Sequence, residues 1–214
     1  MPNASFVRWA GAALAAGGAL TLAINVGLTP FLPRHASFAA TAASSVFLWR
    51  QSASALAVAF LLFGSVGIYL RQADRAGYFG GTAFVLTLLG TALVLATEWT
   101  EVFLIRDLAL RLPDALRALD AGPRPSRYDL GAMIPIGTFM LGWVALAAST
   151  IRTLRTFRPA AGLLVAGLFS IPLLSAALPG IWGAVLGNVI LGSGWFWLGH
   201  HLYAVTDQMD TEAP

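Results

Sequence analysis

The sequence predicts an all-α fold: a polytopic transmembrane helix bundle of six spans, with an interfacial amphipathic helix after helix 3. Three observations predict it. Of 214 residues, 57% are hydrophobic and only 11% charged, with a mean hydropathy of +0.74. An average globular domain carries about 25% charged residues, so this chain cannot coat a water-facing surface. Uncharged stretches long enough to cross a hydrocarbon core about 30 Å thick recur along the chain. Glycine, 22 residues in all, occurs inside every one of them, where small residues let helix backbones approach closely in lipid.

Charged residues bound each span. Residues 9–33 lie between Arg8 and Arg34, 51–70 between Arg50 and Arg71, and 76–97 between Arg75 and Glu98. Residues 130–151 lie between Asp129 and Arg152. The last interval, 159–206, is too long for one span and divides at Pro179-Gly180, a strong turn signal. One membrane domain, 1–214, follows, with spans near 7–28, 52–70, 78–98, 130–151, 159–178 and 181–203. The first segment has only Arg8 ahead of a long apolar run, so it reads as an uncleaved span rather than a signal peptide.

Connections set the orientation. Arg71-Gln72-Ala73-Asp74-Arg75 joins helices 2 and 3, and Arg152, Arg155 and Arg158 punctuate the link between helices 4 and 5. These short basic loops abut span ends and share a side with both termini. The positive-inside rule makes that side the cytoplasm. The raw count alone does not decide, since six arginines fall on this side and seven on the other. The outer connections are longer. Residues 29–51 run through Pro30, Pro33, Arg34 and His35 to the interface-type anchor Phe47-Leu48-Trp49-Arg50. Residues 99–129 form the outer loop and surface helix. Asp107/Arg111 and Asp114/Arg117 have helical ion-pair spacing, and Leu104, Leu108 and Leu112 fall on one stripe. The helix is expected to bend near Pro113 and to end at Ala121-Gly122-Pro123-Arg124-Pro125.

Few polar groups lie at membrane depth. Asn25 and Asn188 are amides in apolar helices, each expected to bond across a helix interface. Asn188 is also the candidate for a ligand at the midplane. Glu98 and Glu101 share a helix face at the outer interface. Two carboxylates so placed suit a cation, a proton or an arginine, with Arg106, Arg124 and Arg127 available on that side. Trp9, Trp49, Trp99 and Trp182 fall at span ends as an aromatic belt, whereas Trp143, Trp195 and Trp197 lie deeper, where Trp195 is a pocket candidate. His200 and His201 are weak candidates. They point about 100° apart on one helix, and His35 lies across the bilayer, so neither a haem nor a metal site is expected and no cofactor is implied.

The segments Gly67-Ile-Tyr-Leu-Arg-Gln-Ala73, Gly77 with Gly80-Gly81, Trp99 with Phe103, and Trp197-Leu-Gly-His-His-Leu202 resemble a broad group of small bacterial multi-pass membrane proteins of unknown function. Its members often carry a proline soon after the Phe, where this chain has Ile105-Arg106. The resemblance implies a fold and a bacterial plasma (inner) membrane setting, and no activity.

Several function classes fall away. There is no cysteine and no lysine, which excludes disulfides, thiolate chemistry and Schiff bases. The 13 arginines are scattered in short loops rather than gathered on one face, so nucleic acid is not a partner. Nucleotide-cradling and hydrolase motifs are absent. The expected function is an accessory subunit or a bundle that binds lipid or another apolar ligand. One alternative is a small-solute transporter with its site near Asn188; another is an enzyme using Glu98 and Glu101. Membrane lipids are expected partners, and the GxxxG pair Gly183/Gly187 offers a face for a second subunit or a second copy. A polar cavity reaching the midplane near Asn188 favours the transporter; an exposed glycine- or Trp-rich face favours the subunit.

Overall fold

A computed structural model describes residues 4–33, 36–121 and 127–211. Arg34, His35 and Arg124 lie outside the described residues, as does the Arg127 side chain. Eight α-helices follow in order: α1 (Ala4–Gly27), α2 (Phe38–Ala43), α3 (Ser45–Thr100), α4 (Arg106–Arg111), α5 (Pro113–Ala121), α6 (Arg127–Thr153), α7 (Arg158–Ala177) and α8 (Trp182–Thr211). Among the described residues no strand is present, and four helical segments are long and apolar enough to cross a membrane: Ala4–Phe31, Ser45–Arg111, Leu130–Thr153 and Arg155–Ala177.

The segment α3 is two helices in one. Gly77 has φ 56° and ψ −158°, a backbone state that residues with a Cβ rarely adopt. The chain folds back there. Tyr69 and Phe84 stack with ring centroids 4.3 Å apart, and Gln51 reaches Glu98, so the two halves of α3 run antiparallel. Ser44 caps the start of α3, its hydroxyl accepting from the Phe47 amide at 3.2 Å, and so the helix begins at Ser45, seven residues before the expected span.

The long elements form a ring. Passing round it, α1 packs on the first half of α3, whose second half packs on α6; α7 follows, then α8, which returns to α1. The α6–α7 seam is the loosest of these. Glycines set the close approaches. A Cβ on Gly18 would lie 2.6 Å from the Gly192 carbonyl oxygen, and one on Gly142 would lie 2.6 Å from the Thr87 backbone. Gly183 and Gly187 face Leu174 and Ile171 of α7, so that GxxxG pair packs within the chain. The core so formed centres on Trp143, Leu146, Leu164, Leu168 and Leu198.

Outside the ring, large apolar side chains face outward, among them Leu56, Phe63, Val85, Leu141 and Leu173. In water such a surface would drive aggregation; among acyl chains it is the required one. Trp9, Trp49, Trp99 and Trp182 are exposed, as a belt needs, and Trp143 and Trp195 are buried. Trp197 departs from expectation: it is 45% exposed, on the outward face of α8 rather than deep in the bundle.

The region after α3 also differs from a single bent surface helix. A π-helical turn spans Glu101–Ile105, then α4, a break at Leu112 (φ −135°, ψ 57°), then α5. The Asp107–Arg111 and Asp114–Arg117 pairs form at 2.7 Å. The buried stripe is Ile105, Ala109 and Leu116, packed on Ala39, Ala42 and Phe47; Leu104 and Leu112 are exposed. The widened π turn sets which stripe faces inward.

Candidate functional site

The second turn of α3 places Arg50 and Gln51 opposite the far end of the same segment, where Glu98 and, in the π turn that follows, Glu101 stand about one turn apart. Gln51 is 2% exposed. Its Nε2 donates to Glu98 Oε2 at 3.1 Å and also to Glu101 Oε2. Its Oε1 accepts from Arg50 Nη1, and Arg50 Nε donates to Thr29 Oγ1 at 3.2 Å. One amide therefore clamps two carboxylates, and one guanidinium anchors that amide. Arg50 also acts electrostatically on both carboxylates.

Arg106, a sequence candidate for pairing with the carboxylates, does something else. Its Nη1 donates to the Ala43 and Ser44 carbonyls at 3.1 and 2.6 Å. The π turn carries Arg106 toward the carbonyls where α2 ends and α3 begins, of which that of Ser44 also accepts from the Leu48 amide at 3.3 Å. Arg50 and Gln51 take the role instead. Their signal in the sequence is faint: Arg50 reads as an interface anchor, and a lone Gln after it as its neighbour.

Behind the clamp lies a cavity of about 240 Å³ in the middle of the ring. Every long segment contributes to its wall: Asn25 from α1, Arg50 and Glu98 from the two halves of α3, Phe139 from α6, Ile171 from α7, and Asn188 and Trp195 from α8. It is slightly smaller than the roughly 300–1,000 Å³ of drug-sized sites. The sequence candidates Glu98, Asn188 and Trp195 thus meet in one place. Glu101 faces the other way, into a groove of about 330 Å³ that Thr97, Thr100, Gly131 and Pro135 also line. Gln51 bonds to the carboxylate of each space.

The asparagines do not bond across helices, as the sequence suggested. Asn25 Nδ2 donates to the Thr21 carbonyl at 2.9 Å and Asn188 Nδ2 to the Ala184 carbonyl at 2.8 Å, each within its own helix. That geometry uses one N–H of each amide within its own helix. At the other end, Trp195 packs edge-on against Phe139 and Trp143, with centroids 5.9 and 5.5 Å apart. Trp143 donates to Thr91 Oγ1 at 3.1 Å, whereas the buried Trp195 Nε1–H has no acceptor among the described residues.

His200 and His201 stand apart from this site. His200 is exposed and stacks near Phe196; His201 packs edge-on against Phe157, 4.9 Å between centroids. Their different surroundings follow from the 100° turn between them.

No protein-family model, curated protein or solved structure matches the chain.

Proposed function

We propose that this chain is a six-span integral protein of the bacterial inner membrane that binds a small amphipathic ligand in its central cavity. Each half of α3 is one crossing and α8 is the sixth. Both termini lie in the cytoplasm, the carboxylate clamp lies at the outer face, and α4 and α5 rest at the interface there. The observation that carries the reading is the cavity itself. Six helical segments line one space, polar at the Arg50/Glu98 end and aromatic at the Phe139/Trp195 end. A bundle built only as packing has no use for such a space, since interiors close voids wherever side chains permit.

Ligand binding is favoured over subunit docking because Gly183 and Gly187 are already occupied by α7. The same cavity supports a second reading, transport of a small solute, in which Asn188 lies on the path. The clamp weighs against catalysis by Glu98 and Glu101, because Gln51 holds both carboxylates by hydrogen bonds and so fits them for positioning.

Native mass spectrometry from gentle detergent tests the proposal. The expected result is a small adduct on the wild-type protein that is lost in Ser54→Phe, a substitution that fills the cavity. A wild-type protein carrying no adduct, or one unchanged by Ser54→Phe, contradicts it.

A further inference from the structure

The central cavity has a side entrance. Among the described residues that line it, Ile136 alone is exposed, at 53%. A side chain that faces the cavity and the outer surface at once marks where the two meet. The roof is closed by comparison. Thr29 and Gln51 are buried there, and Arg50 Nε donates to Thr29 Oγ1 in the turn Thr29–Phe31.

The entrance follows from how α6 and α7 are joined. At their inner ends only Leu154 and the turn Arg155–Phe157 separate them; Phe157 is buried, and Arg158 Nε donates to the Ile151 carbonyl at 2.9 Å. Toward the outer ends they part. Along α6, Ala147, Val144, Met140, Ile136 and Met133 form one stripe at helical spacing. It passes from 1% exposed at Ala147, through half-buried Val144 and Met140, to 61% at Met133. On α7, Ala161 and Leu168 are buried, whereas Pro172 and Ala176 are exposed. Met133 lies within a turn of Leu130, the outer end of the span, so the slit reaches the interface. Ile136 lies six residues, or about 9 Å, below that end in the orientation proposed above.

What stands at this opening is therefore hydrocarbon, not water. Behind it, Phe139, Met140, Ile171 and Leu191 make an apolar wall, and Arg50, Glu98 and two asparagines make the polar end. Arg50 and Glu98 balance in formal charge, so that end suits a head with hydrogen-bonding groups and no net charge. A space of about 240 Å³ takes one chain rather than two.

We propose that the ligand is a single-chain amphiphile of the outer leaflet, with a neutral polar head, and that it enters sideways between the outer halves of α6 and α7. This rests on the ligand-binding reading above and names the chemistry and source of that ligand. The head slides along the interface to Arg50 and Glu98 while the chain passes Ile136 and lies along the Phe139/Trp195 wall.

A monoacylglycerol with a photoactivatable diazirine in its chain tests this on the full chain in lipid nanodiscs, with labelled residues mapped by mass spectrometry. Leu141 and Leu173, both exposed on the outside, are the internal reference. Labelling of Phe139, Ile171 and Leu191 is expected to saturate as the mole fraction of probe rises, while labelling of Leu141 and Leu173 rises in proportion. Ile136→Trp should lower labelling of the wall about tenfold against that reference, as overpacking of a narrow passage does. Ile136→Ala should leave it undiminished. Wall labelling that tracks Leu141 without saturating, or that survives Ile136→Trp unchanged, overturns entry between α6 and α7. Equal saturation by carboxylate- or ammonium-headed probes of the same chain length overturns the neutral head. A wall without label overturns the whole proposal. If the native adduct lost in Ser54→Phe is still found, the ligand-binding reading stands; if it is absent too, that reading fails as well.

Discussion

Replacing Gln51 by Leu removes the clamp on the two carboxylates at nearly constant volume. Gln51 is buried, donates to both Glu98 and Glu101, and accepts from Arg50. A hydrogen bond to a charged group contributes about 1.5–3 kcal/mol, so losing two costs about 3–6 kcal/mol. An ordinary hydrogen bond between membrane helices averages only about 0.6 kcal/mol. The two figures are far enough apart to decide whether the clamp is charge-assisted. The assay is equilibrium unfolding in mixed micelles, or steric trapping in bicelles, followed for wild type, Gln51→Leu and the double variant Gln51→Leu/Glu101→Gln. In the double variant a carboxamide next to Glu98 restores a donor and removes like-charge repulsion. It is expected to recover about half the loss. A Gln51→Leu cost below about 1 kcal/mol, or no recovery in the double variant, would refute the clamp.

Other substitutions probe the packing. Gly18→Val forces a side chain into the α1–α8 contact, where even a Cβ meets the Gly192 carbonyl oxygen at 2.6 Å; overpacking of this kind costs about 1–3 kcal/mol, read as a lower melting temperature, whereas Gly162→Ala, with open space around it, should be neutral. Trp143→Phe deletes the 3.1 Å bond to Thr91 and leaves a void in the core; the share due to the hydrogen bond, about 1 kcal/mol, is the part of the loss that disappears when Thr91→Val is already present in a double-mutant cycle. Arg106→Ala leaves the carbonyls at the end of α2 without their donor; limited proteolysis should then cut faster between α2 and α3, with the melting temperature of the ring little changed.

Much of the fold was legible because lipid imposes a simple rule. Charges were confined to the ends of apolar stretches, so the gaps between Arg50, Arg71, Arg75 and Glu98 marked both halves of α3 directly. Gly77 was visible as a glycine but not as the turn, because its positive φ is set by the backbone path rather than by any neighbour in sequence. The extent of α3 was under-read, since Ser44 caps it well before the uncharged run begins. Within the site, Glu98, Asn188 and Trp195 could be singled out as polar or amphipathic groups in apolar surroundings. That they share one cavity could not, because their meeting depends on the register between α1, α3 and α8, which the glycine contacts fix. Arg106 was misassigned for a related reason. A regular helix would keep it near Glu98 and Glu101, and the π turn at Glu101–Ile105 does not.

The central claim is that α3 crosses the bilayer twice in a ring of six crossings around the cavity. The chain has no cysteine, so single cysteines at Ala36, Asp74 and Arg155, all exposed, can be labelled in intact cells with a membrane-impermeant maleimide. The account predicts that Ala36→Cys is labelled from outside, and that Asp74→Cys and Arg155→Cys react only once the membrane is opened. Labelling of position 36 and position 74 from the same side would contradict it.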